Sequence, residues 1–309
     1  MSIWAYIFSV LQAAIPAGTP LVYGTLGEVT AERSGVVNLG VEGMMIMGAV
    51  TAFGVAQATG NAFLAIAAAA LVGGLFALIH AFASITLRVN QVVSGLALTM
   101  LGQGISGMVG KRFIGMPPRV QLKPVPIPGL SDLPVLGPLL FQHDLLVYIG
   151  LLMVPVLWFL FYRTRWGINL RSVGESPATA DAMGVNVFQV RYLAVFFGGL
   201  MAGVGGAYLS IVYAPAWIEG MTAGIGWIVI ALTIFAMWDP VRGLLGAYLF
   251  GSVRVLQYRL QGLGISPPLL NMLPFILTIL VLMFSAGEAM RKRLGAPAAL
   301  MQPYTREER

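Results

Sequence analysis

The sequence predicts an all-α, polytopic membrane protein with about eight to ten transmembrane helices, some of them broken or re-entrant. Of its 309 residues, 58% are hydrophobic and only 10% are charged, whereas about 25% of the residues in a soluble domain are charged. Apolar stretches of roughly 20 residues, the length that crosses the hydrocarbon core, recur along the chain. There is no cysteine, so disulfides and thiolate metal sites are excluded.

Residues 1–290 are interpreted as a single transmembrane domain. The first apolar span begins almost at Met1, is too long for a signal-peptide core and has no basic residue before it, so we expect a retained helix. The seventh span is short and follows Glu219-Gly220. Such interruptions are typical of discontinuous helices that line a transport path, but a short tilted helix explains them equally well. The predicted spans are residues 3–27, 36–58, 62–87, 91–110, 145–162, 189–213, 222–237, 241–259 and 269–285.

Basic residues orient these spans. If the polar segment 163–188 is cytoplasmic and the spans alternate, twelve Lys and Arg residues lie inside and six lie outside, which the positive-inside rule favours. The proline-rich segment 111–143 is then an extracytoplasmic loop without a long regular helix. Residues 291–309 form a basic cytoplasmic tail, to which we assign no function.

The cytoplasmic segment 163–188 is predicted to contain its own short helix. Pro177 stands at a favoured first-turn position behind Ser176 as N-cap. Gly184 follows about two turns later, where a helix end favours a left-handed residue. A connection of this length is more than a reversal of direction requires. It is either an ordinary amphipathic loop or a surface on which another protein acts.

One acidic residue, Glu42, lies inside an apolar run, with Asn38 four residues before it. A charge in a membrane span is costly and normally faces a cavity or a partner. If the helix is continuous, Asn38 and Glu42 share a face and line a path for a solute. The alternative is a structural lock, in which Glu42 bonds a neighbouring helix or pairs with Arg33.

The fourth span opens with a second group of polar side chains. Amides and hydroxyls in this number suit hydrogen bonding to a neutral polar solute, although they also serve as adhesion between helices. The group comprises Asn90, Gln91, Ser94, Thr99 and Gln103.

A third group consists of glycines in the sixth span, with a GxxxG spacing that is typical of close helix packing. We expect packing to be their main role. The group comprises Gly198, Gly199, Gly203, Gly205 and Gly206.

Motifs of membrane-bound or soluble enzymes are missing from the sequence. It contains no GxSxG elbow, no HExxH and no P-loop, and its two histidines, His80 and His143, are far apart. We therefore expect a transport component without catalytic residues, metal site or cofactor of its own.

Three segments carry a resemblance to a known family: ERSGVVNLGVEGMMIMGA (32–49), NQVVSGLALTMLG (90–102) and LRSVGESPATADAMGVNV (170–187). Together they resemble the permease subunits of bacterial ATP-binding cassette (ABC) importers, in the superfamily of the ribose and branched-chain amino acid permeases. The combination is most similar to the shorter of the two paired permeases in nucleoside-type importers. Ser176 and Met183 depart from the third motif, where asparagine and a small residue are common.

The resemblance implies an assembly in the bacterial plasma membrane. Its other members would be a second, non-identical permease, a cytoplasmic ATPase that binds ATP and Mg²⁺, and an extracytoplasmic solute-binding protein. The segment 177–184 would be the coupling helix that contacts the ATPase, with Gly174, Glu175, Pro177, Asp181 and Gly184 at its motif positions. The motif positions that we place near the solute path are Asn38, Glu42, Asn90, Gln91 and Ser94.

The resemblance favours nucleosides as the solute, with sugars and branched-chain amino acids as alternatives within the family. The alternative outside the family is an ion-coupled secondary transporter. Such a carrier needs its own proton or ion site, for which Glu42 is the one candidate in the apolar spans.

Overall fold

The computed structural model describes residues 3–285 and 295–305. Every regular element in these residues is a helix, and six helices are long and apolar enough to cross a membrane. The predicted polytopic all-α fold is thereby confirmed. The helices are α1 (Ile3–Arg33), α2 (Val41–Thr59), α3 (Ala62–Ala81), α4 (Gln91–Gly110), α5 (Leu136–Leu140), α6 (Leu145–Arg163), α7 (Arg165–Glu175), α8 (Pro177–Ala182), α9 (Val187–Tyr208), α10 (Ile225–Phe235), α11 (Pro240–Leu260), α12 (Pro267–Asn271) and α13 (Leu273–Ser285).

Six of the nine predicted spans correspond to the six long apolar helices α1, α2, α3, α4, α6 and α9. The other three correspond to α10, α11 and the pair α12–α13. Helix α10 has 11 residues, which is about 16 Å of helix and too short to cross the membrane alone. Irregular backbone precedes it at residues 214–224. The predicted interruption before the seventh span is thus present in the fold.

The first two spans differ from their predicted limits. Helix α1 continues to Arg33 rather than ending at residue 27, and α2 begins at Val41 rather than at 36. Residues 34–40 between them are not helical, and Gly35 has a φ of 91°, which favours glycine. Asn38 and Glu42 therefore do not share the face of a continuous helix.

Helix α9 is the centre of the bundle, and its glycines let three neighbouring backbones approach it. A side chain at Gly199 or Gly203 would collide with α3, and one at Gly206 would collide with the carbonyl of Met45 on α2. Side chains at Gly198 and Gly205 would crowd the backbone of α1. The prediction that these glycines serve packing is confirmed.

Replacing Gly203 with alanine is expected to lower the free energy of unfolding by about 2 kcal/mol, because the added methyl group meets backbone atoms of Ala69 and Ala70 that cannot rotate away. The measurement is the melting temperature of the purified protein in detergent. The matched control is Gly104→Ala on α4, where a methyl group would meet no atom within 4 Å. An equal melting temperature for both variants would contradict the packing role.

The two long polar segments between spans, 111–143 and 163–188, differ in how much regular structure they contain. In the segment 111–143, helical structure is limited to a short 3₁₀ turn and the five residues of α5, as its prolines predict. The segment 163–188 contains two helices, α7 and α8, of which only the second was expected. Thr164 caps α7 by accepting a hydrogen bond from the Gly167 amide. This N-cap is a local signal for α7 that the sequence prediction does not include.

Candidate functional site: an exposed helical turn and a buried polar core

Helix α8 is built by local signals at both ends. Ser176 Oγ accepts a hydrogen bond from the Thr179 amide at 3.4 Å, and Pro177 is the first helical residue. Gly184 follows the helix with a φ of 86°, where a side chain would be strained. These features match the helix that the sequence predicts at this position.

Helix α8 presents an exposed surface with an apolar tip. Ala180 faces inward and is 3% exposed, whereas the Met183 side chain is 81% exposed. Glu175 and Gly184 are exposed, and Asp181 is half-buried. An exposed methionine on a short, well-capped helix is a feature of surfaces that contact another protein.

Gly174 connects this turn to the rest of the bundle. A side chain here would collide with the carbonyl oxygen of Arg33 at the end of α1. The Gly174 carbonyl itself accepts a hydrogen bond from the Ala299 amide at 2.9 Å. Gly174, just before α8, is therefore in direct backbone contact with both α1 and the C-terminal segment.

The C-terminal segment 295–305 packs against the same end of the bundle. The Met301 amide donates to the Gly35 carbonyl at 3.2 Å, and Arg191 Nη1 donates to the Gln302 carbonyl at 3.2 Å. Arg191 is 2% exposed and also donates from Nε to the Ser34 carbonyl. The basic residues 291–293, 306 and 309 of the predicted tail lie outside the described residues.

Glu42 binds the start of α10. Its carboxylate accepts hydrogen bonds from the Thr222 hydroxyl at 2.5 Å and from the amides of Gly224 at 3.0 Å and Gly226 at 2.6 Å. The side chain is 2% exposed, and a carboxylate at a helix N-terminus is electrostatically favourable. Of the two alternatives for this residue, the geometry favours the structural lock. Its partner is α10 rather than Arg33, which donates instead to the Trp238 carbonyl and the Tyr162 hydroxyl.

The irregular segment 34–40 is held by buried side chains. Asn38 is fully buried, and its Oδ1 accepts a hydrogen bond from the Gly40 amide at 3.0 Å. Gln91 Oε1 accepts one from the Val37 amide at 2.8 Å. The side-chain oxygens of Asn38 and Gln91 thus accept hydrogen bonds from backbone N–H groups of this segment. In a continuous helix, backbone carbonyls would have accepted them.

The remaining two predicted path residues lie at the start of α4. Asn90 is exposed and caps α4 by accepting hydrogen bonds from the amides of Val92 and Val93. Ser94 lies on a cleft of about 320 Å³ between α3 and α4, and its hydroxyl is 3.1 Å from Nδ1 of His80. Ser94 is therefore a predicted path residue that lines an open cleft, whose other walls are mostly apolar.

Two buried acids lie beyond residue 27, where the predicted first span ends, and are therefore not among the predicted site residues. Glu28 and Glu32 are 1% and 2% exposed on α1. Glu28 Oε1 accepts from the Asn38 amide at 2.9 Å, and Glu32 Oε2 accepts from the Trp238 indole at 2.5 Å. Their spacing of four residues, on one helix face, is the signal that could have revealed them.

Metal-binding geometry is missing from the residues that the structure describes, where no three His, Asp or Glu side chains come together to hold an ion. The arrangement at the α8 end consists instead of an exposed helical turn, backbone contacts that connect it to α1, and buried acids that hold irregular segments.

Comparison with known proteins identifies the family. A family model described as branched-chain amino acid transport system / permease component matches residues 11–282. TsgC13, a candidate glucose ABC transporter permease protein of Haloferax volcanii, is 42% identical, covering 98% of this chain and 99% of the relative. No solved structure matches the chain.

Two further relatives are named for nucleoside transport. The guanosine ABC transporter permease protein NupQ of Bacillus subtilis is 36% identical, covering 98% of this chain and 99% of the relative. The nucleoside ABC transporter permease protein NupC of Lactococcus lactis is 33% identical, covering 88% of this chain and 90% of the relative.

Proposed function

We propose that this chain, which belongs to the branched-chain amino acid transport system permease family, forms half of the membrane path of an ABC importer for nucleosides. The chain is an ABC transporter permease and a multi-pass protein of the plasma membrane. The proposal adds the solute and the other members of the assembly. These are a second, non-identical permease, a cytoplasmic ATPase that holds ATP and Mg²⁺, and an extracytoplasmic solute-binding protein.

The exposed turn of α8 is the observation that carries the proposed coupling to an ATPase. The side chain of Met183 at its tip is 81% exposed and is little covered by the described residues. Gly174 contacts the backbone of Arg33 and of Ala299, so a force on α8 reaches α1 and the C-terminal segment. Gly174, Glu175, Pro177, Asp181 and Gly184 are the proposed coupling positions.

The proposed solute rests on the relatives and on the neutral polar groups of the chain. NupQ and NupC are named for guanosine and for nucleosides, and TsgC13 is named for glucose. Nucleosides and glucose share a ring with several hydroxyl groups, which amides and hydroxyls bind well. Glucose is therefore the second candidate, favoured by the relative with 42% identity.

The bonding of Glu42 argues against this residue as the site of ion coupling. An ion-coupled carrier needs a group that exchanges a proton or an ion during transport. Glu42 is 2% exposed and accepts three hydrogen bonds from α10 and the residue Thr222, so its oxygens are already occupied. Asn38, Asn90, Gln91 and Ser94 remain the other proposed positions near the path.

The test is uptake by the complete assembly in proteoliposomes, with radiolabelled guanosine and glucose offered separately. We expect guanosine to accumulate only when ATP and the solute-binding protein are both present. If glucose accumulates and guanosine does not, the proposed solute is wrong and glucose takes its place. Accumulation by this chain alone under a proton or sodium gradient would overturn the ABC mechanism.

A further inference from the structure

A cavity of about 270 Å³ lies between α10, α11 and the α12–α13 pair, in the half of the bundle away from α8. Three residues of α11 line it: Arg254, Gln257 and Tyr258, with Asn271 and Phe275 opposite. Arg254 is 14 residues after the start of α11 at Pro240, about 21 Å along the helix. The volume is close to the lower limit of roughly 300 Å³ for ligand pockets and suits a small solute.

Arg254 lines this cavity with a guanidinium of which one nitrogen is unsatisfied. Its Nη1 atom is buried without a hydrogen-bond partner in the described residues, and its Cζ lies 6.0 Å from the centre of the Tyr213 ring. Arg259, five residues further along α11, donates instead to the hydroxyl and carbonyl of Ser9. An arginine in a membrane span is costly unless acceptors surround it, so the position of Arg254 calls for an acceptor that the described residues do not supply.

Two amides and two rings complete the cavity. Gln257 Nε2 donates to Asn271 Oδ1 at 2.5 Å, which leaves the Gln257 oxygen, one N–H of Gln257 and both N–H groups of Asn271 for a ligand. The rings of Tyr258 and Phe275 are 53% and 44% exposed. Flat exposed rings beside a guanidinium favour a planar ligand over a simple anion.

The Glu42 lock fixes the wall of the cavity that α10 contributes. Ala223 and Ile225 line the cavity, and they alternate with Gly224 and Gly226, whose amides donate to Glu42. Glu42 is thus a positioning residue for this cavity, whose described lining does not include it.

We propose that this cavity binds the base of a purine nucleoside that carries a carbonyl at C6, and that Arg254 determines this specificity; the inference rests on the proposed function. A guanidinium fork matches the O6 and N7 acceptors of guanine. Adenine has an amino group in place of O6 and repels one arm of the fork. The exposed rings stack on the base, and the amides of Gln257 and Asn271 bind hydroxyl groups of the sugar.

The first test compares guanosine and adenosine uptake by the assembled importer carrying Arg254→Gln. We expect the KM for guanosine to rise about tenfold and the preference for guanosine over adenosine to fall by a similar factor, because glutamine pairs with adenine rather than guanine. The control is Arg259→Gln, which removes an arginine from the same helix and should leave the preference unchanged. An unchanged preference in Arg254→Gln would overturn the assignment.

The second test uses the natural lack of cysteine. Ala223→Cys introduces a single thiol in the wall of the cavity, at an exposed residue to which no ligand contact is assigned, and its rate of modification by a charged methanethiosulfonate reagent is measured with and without guanosine. We expect guanosine to slow modification at least fivefold, but not to affect the control Asp132→Cys in the exposed loop. The absence of protection in an assembly whose wild type imports guanosine would overturn the cavity while leaving the proposed function intact. Failure of the wild type to import any nucleoside would instead overturn the proposed function, and the cavity assignment with it.

Discussion

Replacing Met183 with glutamate is expected to abolish the solute-stimulated ATPase activity of the assembled importer while leaving the permease folded. The side chain is 81% exposed at the tip of α8, so its loss should change the free energy of unfolding by less than about 0.5 kcal/mol. If the tip docks into the ATPase, a carboxylate placed there loses its hydration without gaining a partner. We expect stimulation by solute and binding protein to fall to the basal rate.

The control for Met183→Glu is Gln189→Glu, which places the same charge on an exposed position at the start of α9. A carboxylate in the first turn of a helix is well tolerated, so ATPase stimulation should remain. Both variants should elute from size-exclusion chromatography as the wild type does. Full stimulation in a folded Met183→Glu assembly would exclude the α8 tip as the coupling surface.

Local signals made α8 predictable from sequence. A cap, a first-turn proline and a terminal glycine lie within nine residues of one another, and each acts on the backbone next to it. The apolar spans were predictable for a similar reason, since length and hydropathy are properties of contiguous residues. Their limits were less accurate at residues 34–40, where satisfaction of the irregular backbone depends on Gln91 and Glu28.

Long-range partners explain what the sequence left open. The acceptor role of Glu42 depends on residues about 180 positions away, and no local pattern announces such a pairing. Arg254 lies on a cavity between α10, α11 and the α12–α13 pair, which only the fold brings together, so no local sequence pattern marks it. The prediction that Asn38 and Gln91 lie near the path rests on their polarity in apolar surroundings. A polar side chain that accepts a hydrogen bond from the backbone meets this criterion equally well.

Glu42→Ala is expected to lower the free energy of unfolding by about 4 kcal/mol and to abolish uptake. The substitution leaves the Thr222 hydroxyl and the amides of Gly224 and Gly226 without their acceptor, and each unsatisfied buried donor costs about 1–3 kcal/mol. The start of α10 then loses its anchor to α2. The melting temperature and radiolabelled guanosine uptake of the same preparation measure both effects.

Two roles of Glu42, a structural lock and a site of proton coupling, are distinguished by comparing Glu42→Gln with Thr222→Val. A glutamine side chain offers one acceptor oxygen where the carboxylate uses two, and its NH₂ group would oppose an amide donor. We therefore expect Glu42→Gln to be destabilised in an ATP-driven importer as well, by about 2 kcal/mol. Thr222→Val removes one donor and keeps the acid. Its free energy of unfolding should therefore fall by about 1 kcal/mol, and uptake should be retained. A Glu42→Gln protein that melts as the wild type does but no longer transports would contradict the lock, because the lost function would then follow the titratable group rather than the anchored helix.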